Sequence, residues 1–270
     1  MTDATEPAYM AWARERFGKP DGSMRPQEPR TLPGAGGHDR HPVLAALPPE
    51  VRLTVYRRGH LRTVEAGEQI ENGCGVLFVL NGAVGLFPDS GPGICLGLAG
   101  PGAMVNVEDL AEADSGRAFR TLAKGAVLAL RGTDLASIVG RHRADRLLID
   151  QILAQQTALD REIVCNALHL APARLARWLL MLSRASGGAD LHITQAALAE
   201  MLGIQRTSVN AAARKLQERG GLRFVRGRVR VLKPEALEEQ ACGCLSARPA
   251  SCPPRLGAGQ PGSAEQKAAS

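Results

Sequence analysis

Arg206, Thr207, Ser208 and Asn210 lie within one stretch of five residues. A guanidinium fork, two hydroxyls and a carboxamide at this spacing supply donors and acceptors but no activated nucleophile. Their chemistry is recognition by hydrogen bonding. An arginine fork matches O6 and N7 of guanine, and short polar side chains read neighbouring base edges. Further on, basic and apolar residues alternate through Phe224–Val231, with Arg226 and Arg228 at its centre. Cations placed this way suit phosphate oxygens. Upstream, Thr194 and Gln195 add another hydroxyl and amide.

Such groups act only if rigid elements aim them. Residues Ile193–Asn210 read as two short helices meeting at a tight turn. Leu198, Ala199, Leu202, Ile204, Val209 and Ala212 recur at helical spacing and are expected to face inward. Ala199 is small enough for two helices to cross closely. Gly203 stands at the turn, where a residue without Cβ takes positive φ freely. The spacing predicts a helix-turn-helix whose second helix opens at Arg206 and enters the DNA major groove. The basic hairpin after it reads as a wing against the phosphate backbone. An ordinary core hairpin of helices would account for the apolar spacing but not for the basic strand pair beyond it.

Charge follows the same division. The 270-residue chain carries a formal +6. Between Ala171 and Lys233, twelve Lys or Arg face three Asp or Glu, a net of +9, which leaves −3 for everything else. Concentrated positive charge is the footprint of a phosphate-binding surface. No apolar run reaches the roughly 18 residues of a membrane span. Met1–Lys19 lacks the apolar core of a signal peptide. The expected setting is cytoplasmic, without membrane contact.

Residues 1–38, rich in Pro, Gly and charge, are expected to form a disordered tail. From Leu61 to Leu130, short apolar runs such as Val76–Leu80, Val84–Phe87 and Val127–Leu130 are separated by glycines. That texture predicts a small β-barrel or sandwich, with Asn81-Gly82 as a hairpin turn. The glycines are too scattered for a phosphate loop. One long helix is expected over 145–170. Its residues Ile149, Ile152, Gln156, Leu159, Ile163, Asn166 and Leu170 follow heptad spacing, a seam for a twin helix. A helix over Ala171–Ala185 follows, with Pro172 in its first turn. A short one is expected at Glu235–Gln240, and residues 241–270 are read as a cysteine-containing disordered tail.

A β-unit, one long helix and a winged helix-turn-helix in this order resemble the Crp/Fnr family of bacterial transcription regulators. The resemblance covers about residues 40–244. It is most specific at Leu175–Met181, Ile193–Val209 and Arg226–Val229, and extends to Ala241-Cys242-Gly243-Cys244. It implies an α+β fold: an N-terminal β-roll or jelly-roll sensor at 39–144, a dimerisation helix at 145–170, and a DNA-binding domain at 171–240. The implied function is a homodimeric regulator of transcription that binds double-stranded DNA at an inverted repeat, with RNA polymerase a further candidate partner. Thr194 and Gln195 match backbone-contacting positions, and Arg206 matches the arginine that reads a base. Thr207, Ser208 and Asn210 complete the reading face; Arg226 and Arg228 complete the wing. Thr207 and Ala211 stand where the family often has Glu and a second Arg, and Gly221 stands where it usually has leucine.

The sensor departs further. A cyclic-nucleotide site needs a Gly-Glu-Leu-type turn followed by Arg-Ser. Here Val105–Leu110 precedes Gly116-Arg117-Ala118, so the serine is missing and the turn is out of register. Arg117 remains the candidate effector-binding residue, and cyclic AMP is not the expected effector. The N-terminal tail holds no cysteine for an oxygen-sensing iron–sulfur cluster, and no Cys or His marks a haem ligand. The effector is left unknown.

Six cysteines, at 74, 95, 165, 242, 244 and 252, form no regular framework. Cys242 and Cys244, with Cys252, could hold a metal or form a redox switch. A closed zinc site wants four ligands in firm spacing, so no metal ligand is assigned and the thiols are read as reduced. The six histidines, His169 among them, are read as structural or exposed. No partnered base or paired carboxylate marks a catalytic residue, and an enzyme is not expected. Two alternatives remain: a ligand- or redox-sensing module using Cys242 and Cys244, and a winged helix that contacts protein.

Overall fold

The computed structural model describes residues 41–71, 73–90 and 93–245. The expected tail at 1–38, Cys252 and the end of the chain lie outside these residues.

Two short helices open the described chain, α1 (Pro42–Ala45) and α2 (Pro49–Arg58). Each carries its proline in the first turn, where a missing N–H costs nothing. An antiparallel sheet of six strands follows: β1 (His60–Val64), β2 (Gln69–Ile70), β3 (Val76–Pro88), β4 (Gly97–Ala99), β5 (Met104–Val105) and β6 (Arg117–Leu130). The spatial order is β1-β6-β3-β4, with β2 also on β6 and β5 also on β3. A 3-10 turn, Val107–Ala111, precedes β6.

Asn81-Gly82 is not the hairpin turn that its composition suggests. Both residues lie inside the 13-residue β3. Pairing with β6 shifts register between Val79 and Val84, and Gly82 takes φ +80° there. A bulge with glycine in the left-handed region bends a strand without ending it. The apolar runs on either side therefore make one long strand.

Helices α3 (Gly132–Val139) and α4 (Arg141–Leu168) come next. The second is the long helix, beginning four residues earlier than its apolar spacing suggests and ending two earlier. Then come α5 (Ala171–Ala185), α6 (Gln195–Met201), α7 (Arg206–Glu218), the hairpin β7 (Leu222–Val225) and β8 (Arg228–Val231), and α8 (Pro234–Glu238). Residues 241–245 do not belong to a tail. Cys242 is buried, Ala241 and Leu245 pack on the core, and Gly243–Leu245 form a 3-10 turn. Among the described residues no helix is long and apolar enough to cross a membrane.

One core fills the winged-helix domain around Trp178, Leu179, Leu198 and Val209, and it continues into Phe87, Cys95 and Leu122 of the β-unit. A second joins α1, α2, α3 and the start of α4 over Phe78 and Leu128. His41 is buried at its edge, edge-on to Phe78 and 3.2 Å from the Ala103 carbonyl. Burial pushes its imidazole down to about 4. The unfolded chain thus takes up this proton near pH 6.5 and the folded chain only near 4. Stability is fully present above 6.5 and falls as pH drops through that window, by about 3 kcal/mol for a shift of this size. Urea denaturation at pH 7 and pH 4.5 should show this loss, and His41→Gln should remove that part of it. An identical pH dependence in both proteins would refute the assignment.

Candidate nucleic-acid interface

Helix α6 starts at a capped end. The Thr194 hydroxyl oxygen accepts the Ala197 amide at 3.0 Å, satisfying one of the helix's free donors. Thr194 is thus a structural cap as well as an exposed polar group, its O–H still able to donate. After Gly203, at φ +60°, α7 opens at Arg206. Its inward face is Val209, Ala212, Ala213 and Leu216, all buried. Its outward face carries Arg206, Thr207 and Asn210 exposed, with Ser208 and, on α6, Gln195 half-buried. The structure thus leaves the polar set at least partly open to solvent on the two helices.

The wing follows at once. β7 and β8 pair Leu222 with Val231 through Val225 with Arg228, so only Arg226 and Gly227 form the loop. Both take positive φ, +44° and +80°. That is the two-residue turn whose twist matches paired strands, and it normally holds Asn-Gly or Gly-Gly. Arginine here costs about 1–2 kcal/mol of backbone strain. A residue that strains the turn while pointing a guanidinium into solvent fits service to a ligand rather than to the fold. Arg226→Gly is expected to stabilise the domain by about 1 kcal/mol in denaturant while weakening DNA binding. A variant of unchanged stability would remove the strain argument.

The twelve cations of this region do not form one patch. Arg174 is buried and donates to the Leu202 carbonyl. Arg177 is buried against Glu162 on α4, with one contact of 2.9 Å and a second, shorter one. Arg184 pairs with Glu238. Arg230 forms a two-point pair with Asp190, its Nη2 2.6 Å from Oδ2, and this holds the Asp190 carboxyl below its usual range. Arg206, Arg214, Lys215, Arg219, Arg223, Arg226, Arg228 and Lys233 remain exposed. Gly221, the departure from leucine, has a packing reason. A Cβ there would lie 2.7 Å from Leu237 Cδ1 on α8.

Residues 173–240 match the model of the Crp-like helix-turn-helix domain. They are a Crp-like helix-turn-helix. The rest of the described chain is Crp/Fnr-like in fold. A putative transcriptional regulator of the Crp/Fnr family from Eubacterium rectale superposes with a TM-score of 0.57 at 19% identity, over 74% of this chain and 97% of that one. A Crp-family transcriptional regulator from Thermus thermophilus gives 0.52 at 22% identity, over 67% and 96%. The c-di-GMP-responsive global regulator of Xanthomonas campestris gives 0.51 at 21%, over 67% and 98%. At these identities the likeness concerns fold. No curated protein matches the chain.

In this Crp/Fnr-like chain a cavity of about 190 Å³ lies between the β-unit and α4, lined by Leu86, Leu98, Met104, Arg117, Gln151 and Leu159 among others. Arg117 faces it but is engaged. One of its amino nitrogens lies 3.2 Å from Glu108 and 2.5 Å from Gln155. Leu159, expected on the dimer seam, is half-buried and turned to this cavity.

Sequence reading missed another constellation. Cys165 and His169, at the end of α4, converge with Cys242 and Cys244, and their ligand-type atoms all lie within 4.8 Å of one another. Cys165 Sγ is 3.5 Å from Cys242 Sγ, and Cys244 Sγ is 3.6 Å from His169 Nδ1. Burial, then the neighbouring Cys242, pushes the Cys165 thiol up to about 12. The available signal was Cys165-x-x-x-His169 at one helical turn, paired with Cys242-x-Cys244.

Proposed function

We propose that this Crp/Fnr-like protein is a homodimeric transcription regulator that reads an inverted-repeat operator through α7 and answers to a ligand other than cyclic AMP. The carrying observation is the exposed set Arg206, Thr207 and Asn210 on a helix whose other face is wholly buried, flanked by Arg226 and Arg228. A buried face fixes the helix, and the exposed polar face is left to read base edges. Thr194, Gln195 and the wing arginines serve the phosphates. A protein-contacting winged helix has no need of eight exposed cations in one small domain.

The effector reading rests on Arg117. Glu108 already neutralises its charge, and the cavity walls are mainly apolar. An anionic phosphate would have to displace that carboxylate. A small apolar or weakly polar effector suits the space better. The segment 94–101 gives such a ligand a mechanical route. Leu96–Pro101 line the cavity. Next to them, the Cys95 amide donates to the Met201 carbonyl at 2.9 Å, and Ile94 lies against Gly203 at the turn before the reading helix.

Selection of bound sequences from random duplexes tests the reading. It should enrich a two-fold symmetric site, with affinity that falls steeply as salt rises. Salt-independent or absent DNA binding would reject it. Calorimetric uptake of cyclic AMP, lost in Arg117→Ala, would reject the effector part alone.

A further inference from the structure

We propose that Cys165, His169, Cys242 and Cys244 bind one thiophilic divalent cation of the zinc class. Among the described residues there are five free cysteines, and three of them meet one histidine at a single point. They arrive from two places far apart in the chain, the last turn of α4 and the 3-10 turn after α8. Cys165 and His169 are one helical turn apart, and the His169 amide still donates to the Cys165 carbonyl at 3.1 Å. Positions i and i+4 face the same way. Cys242 and Cys244 bracket one glycine and close the set from the other side.

The dimensions suit one ion. Zinc sits about 2.3 Å from thiolate sulfur and about 2.0–2.1 Å from imidazole nitrogen in tetrahedral sites. The edges of such a tetrahedron are then about 3.8 Å between sulfurs and about 3.5 Å between sulfur and nitrogen. Two of the separations here are 3.5 and 3.6 Å, and none exceeds 4.8 Å. A polynuclear iron–sulfur cluster would hold its sulfurs further apart. Three cysteines and a histidine also form one of the common closed donor sets for structural zinc.

The surroundings fit a charged centre. Binding replaces three S–H protons with three metal–sulfur bonds, releases three protons, and leaves the site at −1. Arg177 supplies a neighbouring positive charge, its Nη1 3.7 Å from Cys165 Sγ, and Glu162 fixes that guanidinium in place. Outer groups of this kind orient and stabilise ligands. Cys244 also lines a second cavity of about 360 Å³, shared with Glu162 and Arg177, which gives the ion a way in. The ion would tie the end of the winged-helix domain to α4 across the joint at 168–170. It would thereby set how the domain is carried on the long helix.

The experiment uses the full chain, reduced and freed of metal, titrated with cobalt(II). One equivalent should produce the intense ligand-field and thiolate charge-transfer bands of tetrahedral cobalt, with three protons released and displacement by zinc. The bands should be lost in Cys165→Ser and Cys244→Ser, and kept in Cys74→Ser and Cys252→Ser. Circular dichroism checks folding, and half-buried Cys244 and His169 offer milder variants should Cys165→Ser unfold. Absence of tetrahedral bands, or their persistence in Cys244→Ser and His169→Ala, would overturn the site. So would loss in Cys252→Ser, uptake of iron with acid-labile sulfide, or a Cys165–Cys242 disulfide with no metal uptake after reduction.

Discussion

Replacing both Ile152 and Ile163 with aspartate is expected to turn a dimer into a monomer and to weaken binding to a full operator about a hundredfold. The cause is the apolar face that α4 leaves uncovered. Ile149, Ile152, Leu153, Ile163 and Val164 are 51%, 41%, 56%, 65% and 48% exposed. Large aliphatic groups in a row along a 28-residue helix are costly in water, and a second copy of the same helix can bury them. Each Cβ already faces solvent, so two aspartates should disturb the monomer's fold little. In the dimer they would place like charges across a dry seam. Affinity for a single half-site should stay nearly the same, because the reading helix is untouched. Sedimentation with full-site and half-site binding measures both quantities. A wild-type protein that is monomeric on its operator, or a double variant that remains dimeric, would sink the proposal. Leu159→Asp would perturb the cavity rather than the seam alone, since Leu159 is turned to the cavity.

Arg206→Ala and Arg228→Ala should fail in different ways. Arg206 is exposed at the first turn of α7, whose opposite face is locked by Val209 and Ala213. Losing a two-point base contact costs about 1–3 kcal/mol and relaxes preference at one symmetric pair of operator positions. Arg228 is exposed at the base of the wing turn, and the proposed docking would bring phosphates within its reach. Losing it should weaken all sequences alike and lower the salt slope by about one. Arg230, two residues on, is held by Asp190, so Arg230→Ala should change the salt slope less than Arg228→Ala does. Binding to single-base operator variants at several salt concentrations separates these outcomes. If Arg206→Ala weakened every variant equally, α7 would not be the reading element.

Local pattern carried much of this protein. Apolar residues at helical spacing, a glycine at the turn and alternating arginines specify the helix-turn-helix and its wing, because those elements depend on contacts within a few residues. Helix α5 runs over Ala171–Ala185 as expected, since Pro172 starts it and Ser186-Gly187-Gly188 ends it. Tertiary structure decided what depends on distant partners. Asn81-Gly82 has turn chemistry, but continuous pairing with β6 makes it a bulge. Net charge counted twelve cations, whereas only the fold shows that Arg174, Arg177, Arg184 and Arg230 are engaged by groups brought from elsewhere. The heptad pattern located the apolar face of α4 but not its rotation, which the β-unit sets by drawing Leu159 inward. Cys165 and His169 were invisible as a site for the same reason. Two of the four donors lie more than 70 residues from the other two, and only packing of the last 3-10 turn against α4 and α5 brings them together.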